Sequence, residues 1–313
     1  TDFEPRLFPE KGEEVGSFAV FHNLDRAFVS VDAGSFDLYV GRQPIAWGSA
    51  RAVNPTDVIA PFTYYELDTE DRVGIDAVRA RVPLGFMGEI DAGYIFGDDF
   101  KFERSAFFLR GKFYAARNDI SLMAVGFREN LLLGFDLARS IGGAGFWTEA
   151  GYVIADALDS DDNPDGDDYF RATVGMDYNF AGDIYGFVEY HYNSAGKNDA
   201  AEYLANASHT AFTDGAAYLL GKHYLIPGVT RQLTPLISGG AEMMINLGDP
   251  SALLAASLEY NIAENIYLEA GGFIGIGSRP SLDFSQSIIG QPVLDSEFGS
   301  YADTYYSSFR VYF

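Results

Sequence analysis

Charged residues in this chain recur at alternate positions, the spacing at which a strand places side chains on one face. Arg79 and Arg81, Glu89 and Asp91, and Arg110 and Lys112 are three such pairs. A turn centred on Gly85 sets Arg79 opposite Asp91 and Arg81 opposite Glu89. A connection centred between Phe100 and Lys101 then sets Asp91 opposite Arg110 and Glu89 opposite Lys112. The expectation is two rungs of charge, Arg79–Asp91–Arg110 and Arg81–Glu89–Lys112. Opposite charges directly across strands stabilise by about 0.2–1 kcal/mol, and rows of guanidinium groups discriminate ions by sign. The bland reading of the same pairs is neutralisation of a polar face. A second set, Glu242, Glu259 and Glu269, has little positive charge near it until Arg310. An acidic wall facing a mixed basic one would set a transverse field between them.

Other candidate chemistry is weaker. The acidic stretch 156–168 contains Asp161, Asn163, Asp165, Gly166 and Asp167. Alternate oxygen ligands followed by Gly fit the start of a calcium loop. Ala172 stands where the closing carboxylate belongs, so calcium is expected in the millimolar range at most, and a solvated acidic tip is the competing reading. His22, His191, His209 and His223 show no ligand spacing. His191 shares a strand face with Glu189, but no nucleophile motif accompanies the pair, which reads as a wall contact and not an enzyme site. Gly271, Gly272, Gly275 and Gly277 imitate a phosphate loop, yet no helix signal follows them. The chain has no Cys, which excludes disulfides, covalent c-type haem, thiolate metal sites and Cys nucleophiles. No catalytic residue is expected, and no cofactor beyond the calcium candidate.

The elements that would carry these residues are strands. Period-two alternation recurs from about residue 24 to the C-terminus, as in Phe170, Ala172, Val174, Met176 and Tyr178 against Tyr169, Arg171, Thr173, Gly175 and Asp177. Strands in soluble sandwiches usually have about 5–6 residues, whereas these approach the roughly 9–11 of a tilted membrane strand. No stretch reaches the roughly 18 apolar residues of a membrane helix, and the beginning, Thr1-Asp2-Phe3-Glu4, lacks signal-peptide character. Composition agrees: 15% aromatic, 34 Gly, 21 Lys plus Arg against 45 Asp plus Glu, and a formal net charge of −24 over 313 residues. Mean hydropathy is −0.03. The acidity argues against a nucleic-acid partner. Half-apolar, half-polar strands fit a sheet with lipid on one side and water on the other.

Short turns and longer loops alternate along the chain. Short connections are expected at 83–87, 116–118, 141–144, 180–183, 227–232 and 261–265. Longer ones are expected at 156–168, 194–215 and 279–300, with brief exceptions at 128–130 and 247–250. The sum is a closed antiparallel transmembrane β-barrel of about 16 strands, or about 14 if weak ones are dropped. It forms one domain over residues 1–313, and 14–22 is its least regular strand. The loop 44–73 stands apart, with Trp47, Arg51, Asp57, Glu66 and Asp68, and with Pro44, Pro55 and Pro61 forbidding a regular ladder. Trp47, Val58, Ile59 and Phe62 need a surface to cover, so the loop is expected to fold inward as a constriction. Its acids would then stand across from Arg79, Arg81 and Arg110. An outer loop packed over the rim is the alternative.

The chain resembles Gram-negative outer-membrane porin-type barrels. Its last strand carries Tyr305, Phe309 and Val311 at alternate positions before a terminal Phe313, as such barrels do. Gly41-Arg42-Gln43-Pro44-Ile45-Ala46-Trp47-Gly48, followed by Asn54-Pro55-Thr56-Asp57, is similar to a Gly-Arg-Gln…Trp-Gly…Asn-Pro-Thr-Asp pattern in porin-like barrels. The resemblance implies an outer-membrane location, lipid around the barrel, and passive diffusion of ions or small hydrophilic solutes. It also implies a homo-oligomer, since trimers are common among 16-stranded porins. The alternative is a membrane sleeve for a multiprotein complex, such as a porin–cytochrome electron conduit with a cytochrome partner.

Overall fold

A computed structural model of the chain describes residues 11–15, 18–22, 24, 26–59, 74–97, 100–159, 166–214, 217–283 and 291–312. Strands β1 (Lys11–Val15) and β2 (Phe18–His22) pair only with each other. The main sheet has 15 strands, all antiparallel. It runs in chain order through β3 (Ala27–Asp32), β4 (Asp37–Gln43), β5 (Ile75–Leu84), β6 (Gly88–Ile95) and β7 (Ala106–Ala115). It continues through β8 (Asn118–Phe127), β9 (Asn130–Ile141), β10 (Ala144–Ile154), β11 (Tyr169–Phe180) and β12 (Ile184–Asn193). The last members are β13 (His223–Thr234), β14 (Ile237–Asn246), β15 (Ser251–Ala263), β16 (Ile266–Ile276) and β19 (Thr304–Val311). A small pair, β17 (Ser281–Asp283) with β18 (Gln291–Val293), lies in the connection before β19. The helical segments described are short: residues 102–104, 200–208 and 298–300, and one turn at Thr210–Thr213. None is long and apolar enough to cross a membrane, which is silent about strands.

The connections sort by end. One end carries the tight turns, among them 116–117 and 142–143, where both central residues have positive φ. That conformation matches the right-handed twist of two-residue hairpins. The other end carries the long connections 44–74, 155–168, 194–222 and 277–303, together with tight turns at 128–129 and 247–250. We call these the turn end and the loop end.

Three sequence expectations are corrected. The main sheet has 15 strands, because the expected first strand at 14–22 is divided into the separate β1–β2 hairpin. The turn expected at 227–232 lies at 235–236, and Pro227 sits inside β13 opposite Val188. Pro offers no N–H, and pairing with β14 lapses at Ile226 and Pro227, then resumes in the same register at Gly228. The turn after β5 is centred on Phe86, with Leu84 opposite Gly88, so Arg81 faces Asp91, Pro83 faces Glu89 and Arg79 faces Gly93. The next interface has the expected register, Asp91 with Arg110 and Glu89 with Lys112.

The two faces of the sheet differ sharply. One is a continuous apolar surface that includes Leu109, Leu133, Val174, Met176, Leu258 and Phe309, with Met176 50% and Phe309 64% exposed. Soluble monomers seldom leave more than a few hundred Å² of contiguous apolar surface bare. The other, inner face buries Ile75, Ile95, Phe108, Val125, Leu132 and Val153 against residues of the 44–59 segment.

Candidate functional site

Segment 44–59 follows β4 yet is bound to strands on the far side of β9. Its backbone N–H groups cannot all pair in a ladder, since Pro44 and Pro55 interrupt it, and buried N–H groups need acceptors. Two carboxylates from strand interiors supply them. Glu149 on β10 accepts from Ala50 N at 3.2 Å, Asn54 Nδ2 at 3.2 Å, Thr56 N at 2.9 Å and Thr56 Oγ1 at 2.6 Å. Glu189 on β12 accepts from Ala52 N at 2.9 Å, from Trp147 Nε1 at 2.7 Å, and from Arg51 N. Between them, β11 offers donors to the segment's carbonyls: Arg171 Nη2 to Pro55 O at 2.9 Å and Thr173 Oγ1 to Val53 O at 2.8 Å. The single Thr173 proton is thereby used, so His191 Nδ1, 2.9 Å away, donates to the Thr173 oxygen.

Small residues make this docking geometrically feasible. Gly48 has φ of +103°, and a Cβ there would collide with the Asn54 side chain and both Glu149 carboxylate oxygens. A Cβ on Gly151 would press on Pro55 O at 2.9 Å. Apolar side chains of the segment complete the contact: Ile45, Val58 and Ile59 are almost wholly buried, and Trp47 meets Phe108 edge-on at 4.6 Å between ring centroids. Arg51 leaves the docked segment toward the turn end. Its guanidinium lies over the Trp147 ring at 5.2 Å and 3.2 Å from Asp177, which also accepts from Tyr185 OH at 2.9 Å.

Nearer the turn end the inner face is charged. Arg79 holds Asp91 in a two-bond fork, at 2.8 and 2.5 Å, although the two are diagonal and not opposite. Arg81 Nε stands 3.9 Å from the same carboxylate. Arg110 donates to Ser121 Oγ at 3.1 Å and lies 3.9 Å from Glu89. Lys112 is opposite Ser121, which is opposite Asp136. Across the sheet, Arg310 reaches Glu259 at 2.5 Å and Glu269 at 3.2 Å, with Tyr306 OH also donating to Glu269. Glu242 shares their face at mid-strand. The expected charged residues thus lie on one face in two groups, but the upper rung is Arg81–Asp91–Arg110 and no rung contains Glu89 opposite Arg81.

Of the loop residues, Trp47, Arg51 and Asp57 are among those described, and Asp57 is buried. Glu66 and Asp68 lie outside the described residues, as do Asp161, Asn163, Asp165 and Phe313. Asp167 is described at the loop end, where its N–H donates to Thr210 Oγ1 at 3.0 Å. The neighbouring Asp156 and Asp168 accept from Gly166 N and Ala155 N. Among the described residues no group of three or more His, Asp or Glu is arranged to hold a metal. His191 does not pair with Glu189: each is directed to a different partner.

Sequence reasoning missed Glu149, Arg171 and Trp147, and mistook the role of Glu189. One signal was available. Glu149 faces Thr173 and Asp136 across its strands, and Glu189 faces Gly175 and Ile226. A carboxylate in mid-strand without a cation opposite requires donors from elsewhere.

No protein-family model matches the sequence, and no curated protein matches it. Solved structures match in fold. The outer membrane protein OprD from Pseudomonas aeruginosa aligns with a TM-score of 0.56 and 9% identity over 95% of this chain and 79% of its own. OccK5 (OpdH) from the same organism gives 0.54 and 9%, covering 83% and 78%. Acinetobacter baumannii OccAB4 gives 0.53 and 7%, covering 80% and 69%. The all-antiparallel sheet, with tight turns at one end, long connections at the other and one apolar face, is thus similar in fold to these outer-membrane proteins.

Proposed function

We propose that the protein is an outer-membrane channel of Gram-negative type for passive diffusion of ions or small hydrophilic solutes. The observation that carries this reading is an apolar outer face wrapped around a charged inner one on a single porin-type sheet. Lipid tolerates strands only where every edge is paired, and the strand directions indicate how that is met. With 15 members, β3 and β19 both run from the loop end to the turn end, so they cannot pair antiparallel with each other. One further strand of opposite direction completes the ring. β2 (Phe18–His22) precedes β3 by only a short connection at the loop end, so it, and not its antiparallel partner β1, runs in the required direction. Closure by that segment gives the even count of 16 expected of such barrels.

In this reading 44–59 is the constriction, occupying the interior at the level of Glu149 and Glu189, while the rest of the expected 44–73 loop lies outside the described residues. Solutes pass beside it, between Arg51 and the charged turn-end walls. An interior filled by the chain's own segment supports a channel over a sleeve around a cytochrome. The test is single-channel recording in a planar bilayer: discrete conductance steps are expected from heat-modifiable, detergent-purified protein. Absence of steps from such folded protein, with a haem protein retained through purification, would favour the sleeve.

A further inference from the structure

The outer face of the main sheet carries almost no charge. Every Asp and Glu on its described strands sits at an inward position except Asp76. Asp76 is opposite Arg42 near the loop end and bonded to it at 2.9 Å. Two other cations lie on the outer face, Arg139 on β9 and Arg231 on β13, both exposed and both in the turn-end half. Neither side chain forms a hydrogen bond or ion pair among the described residues. Asp183, in the turn beside Arg231, is not bonded to it, and its carbonyl takes Gln232 N at 3.4 Å. A chain with 45 Asp plus Glu and 21 Lys plus Arg thus shows only positive charge on the turn-end half of this face.

Arg231 also stands at the rim of an apolar groove of about 430 Å³. Gly239, Ala241, Ala256 and Ala270 form its floor, and Val229, Leu233 and Leu258 border it. The registers explain the depression. Arg231 is opposite Gly239, which is opposite Leu258 on the next strand, and Leu258 is opposite Ala270. Ala241 lies between Val229 and Ala256. Three neighbouring strands therefore present small residues side by side, where the outer face elsewhere carries Leu133, Phe170 and Met176. A Cβ on Gly239 would stand 2.8 Å from Leu258 Cδ2, so the leucine leans over the glycine. Arg139 does not line the groove.

We propose that this groove binds one glycerophospholipid, with an acyl chain over Gly239, Ala241 and Ala256 and the phosphate on Arg231. The inference rests on the outer-membrane reading and names one lipid contact within it. A guanidinium on a lipid-facing strand is tolerated near the headgroups, which its long side chain can reach. Its planar fork fits a phosphate through two parallel hydrogen bonds. The depression surrounds a chain on more than one side, and dispersion contacts accumulate with each added neighbour. A second copy of the protein docked by its outer face could fill the groove but not answer the charge. The only carboxylate on that face among the described strands, Asp76, already holds Arg42. A phospholipid answers both.

Native mass spectrometry of delipidated, detergent-purified protein incubated with phosphatidylglycerol tests the site. One retained lipid is expected for wild type, and severalfold less for Arg231→Gln and for Ala256→Leu, which fills the floor. Arg139→Gln should retain as much as wild type, because that arginine has the charge without the groove. Diacylglycerol, with the chains but no phosphate, should not be retained. All three substitutions fall on exposed outer-face positions, and heat-modifiable gel mobility checks that each variant is folded. Equal retention by wild type, Arg231→Gln and Ala256→Leu overturns the site, as does an equal loss on Arg139→Gln and Arg231→Gln. Lipid-free wild-type oligomers that Ala256→Leu dissociates would give the groove to a second copy and overturn it too. Conductance from protein that retains no lipid removes the lipid site and leaves the channel standing, whereas a protein soluble without detergent removes both.

Discussion

The inner face of the sheet is two different materials. In the loop-end half, Ile75, Ile95, Phe108, Val125, Phe127, Leu132 and Val153 form one buried apolar cluster with Ile45, Trp47, Val58 and Ile59. In the turn-end half, Arg79, Arg81, Arg110 and Lys112 interleave with Glu89, Asp91 and Asp136. Both halves bury charge, but for different ends. Glu149 and Glu189, at the border, take backbone N–H groups of a segment that cannot form a ladder, while Asp91 takes a guanidinium from the neighbouring strand. A buried carboxylate therefore marks either an irregular backbone or a cation, and the strand opposite it says which.

The largest expected effect comes from dissolving the border. Glu149→Ala with Glu189→Ala leaves four donors at one site and three at the other without acceptors. Hydrogen bonds to charged groups contribute about 1.5–3 kcal/mol each and are not additive, so the segment should leave the wall. Conductance is expected to rise severalfold, as it should on deleting about ten residues around Asn54. Unchanged conductance in both variants would place the passage elsewhere.

The turn-end half offers a sharper contrast between two arginines on one carboxylate. Arg79 is 6% exposed and forks Asp91, which is fully buried. Arg79→Ser strands that anion and is expected to cost about 3–5 kcal/mol, the usual penalty of breaking a buried pair from one side. Arg81 stands 3.9 Å away with its side chain 35% exposed, and Arg81→Ser should cost about 0–1 kcal/mol. Thermal or denaturant unfolding of the two variants in one detergent measures the difference. Equal losses would mean that the fork contributes nothing beyond proximity.

The residues themselves explain how much of this was legible. Alternation revealed the strands because each has one apolar, exposed face and one inward face, and it placed Arg79, Asp91, Arg110, Glu259 and Glu269 on a common face. Registers depended on turn centres, and Gly85 misled by one residue because the three-residue turn 85–87 begins with it and does not pivot on it. Pro227 misled because a Pro in an antiparallel strand costs only local pairs when the flanking register holds. The docked segment was legible as apolar and proline-broken, so its need for a surface could be read, but its anchors could not. Glu149, Arg171 and Glu189 lie 93 to 138 residues away from their partners in it, and only the curl of the sheet brings them to it.

The smallest expected effect is on ion preference, and it distinguishes the two walls. Arg81 and Lys112 are partly exposed members of the basic wall, so replacing both by Ser removes two positive charges without unpairing Asp91, which keeps Arg79. Glu242, Glu259 and Glu269 remain across the interior, with Arg310 bound to the latter two. The field along the turn-end half should become more negative, and cations should be favoured. Reversal potentials across a salt gradient are expected to move in the cation direction by a modest amount that shrinks at high ionic strength, because exposed charges are screened over about 10 Å at 0.1 M salt. Arg310→Gln should move them the same way, since it frees two carboxylates on the opposite wall. A shift from Arg310→Gln alone would mean that ions follow the acidic wall and that the basic ladder is structural.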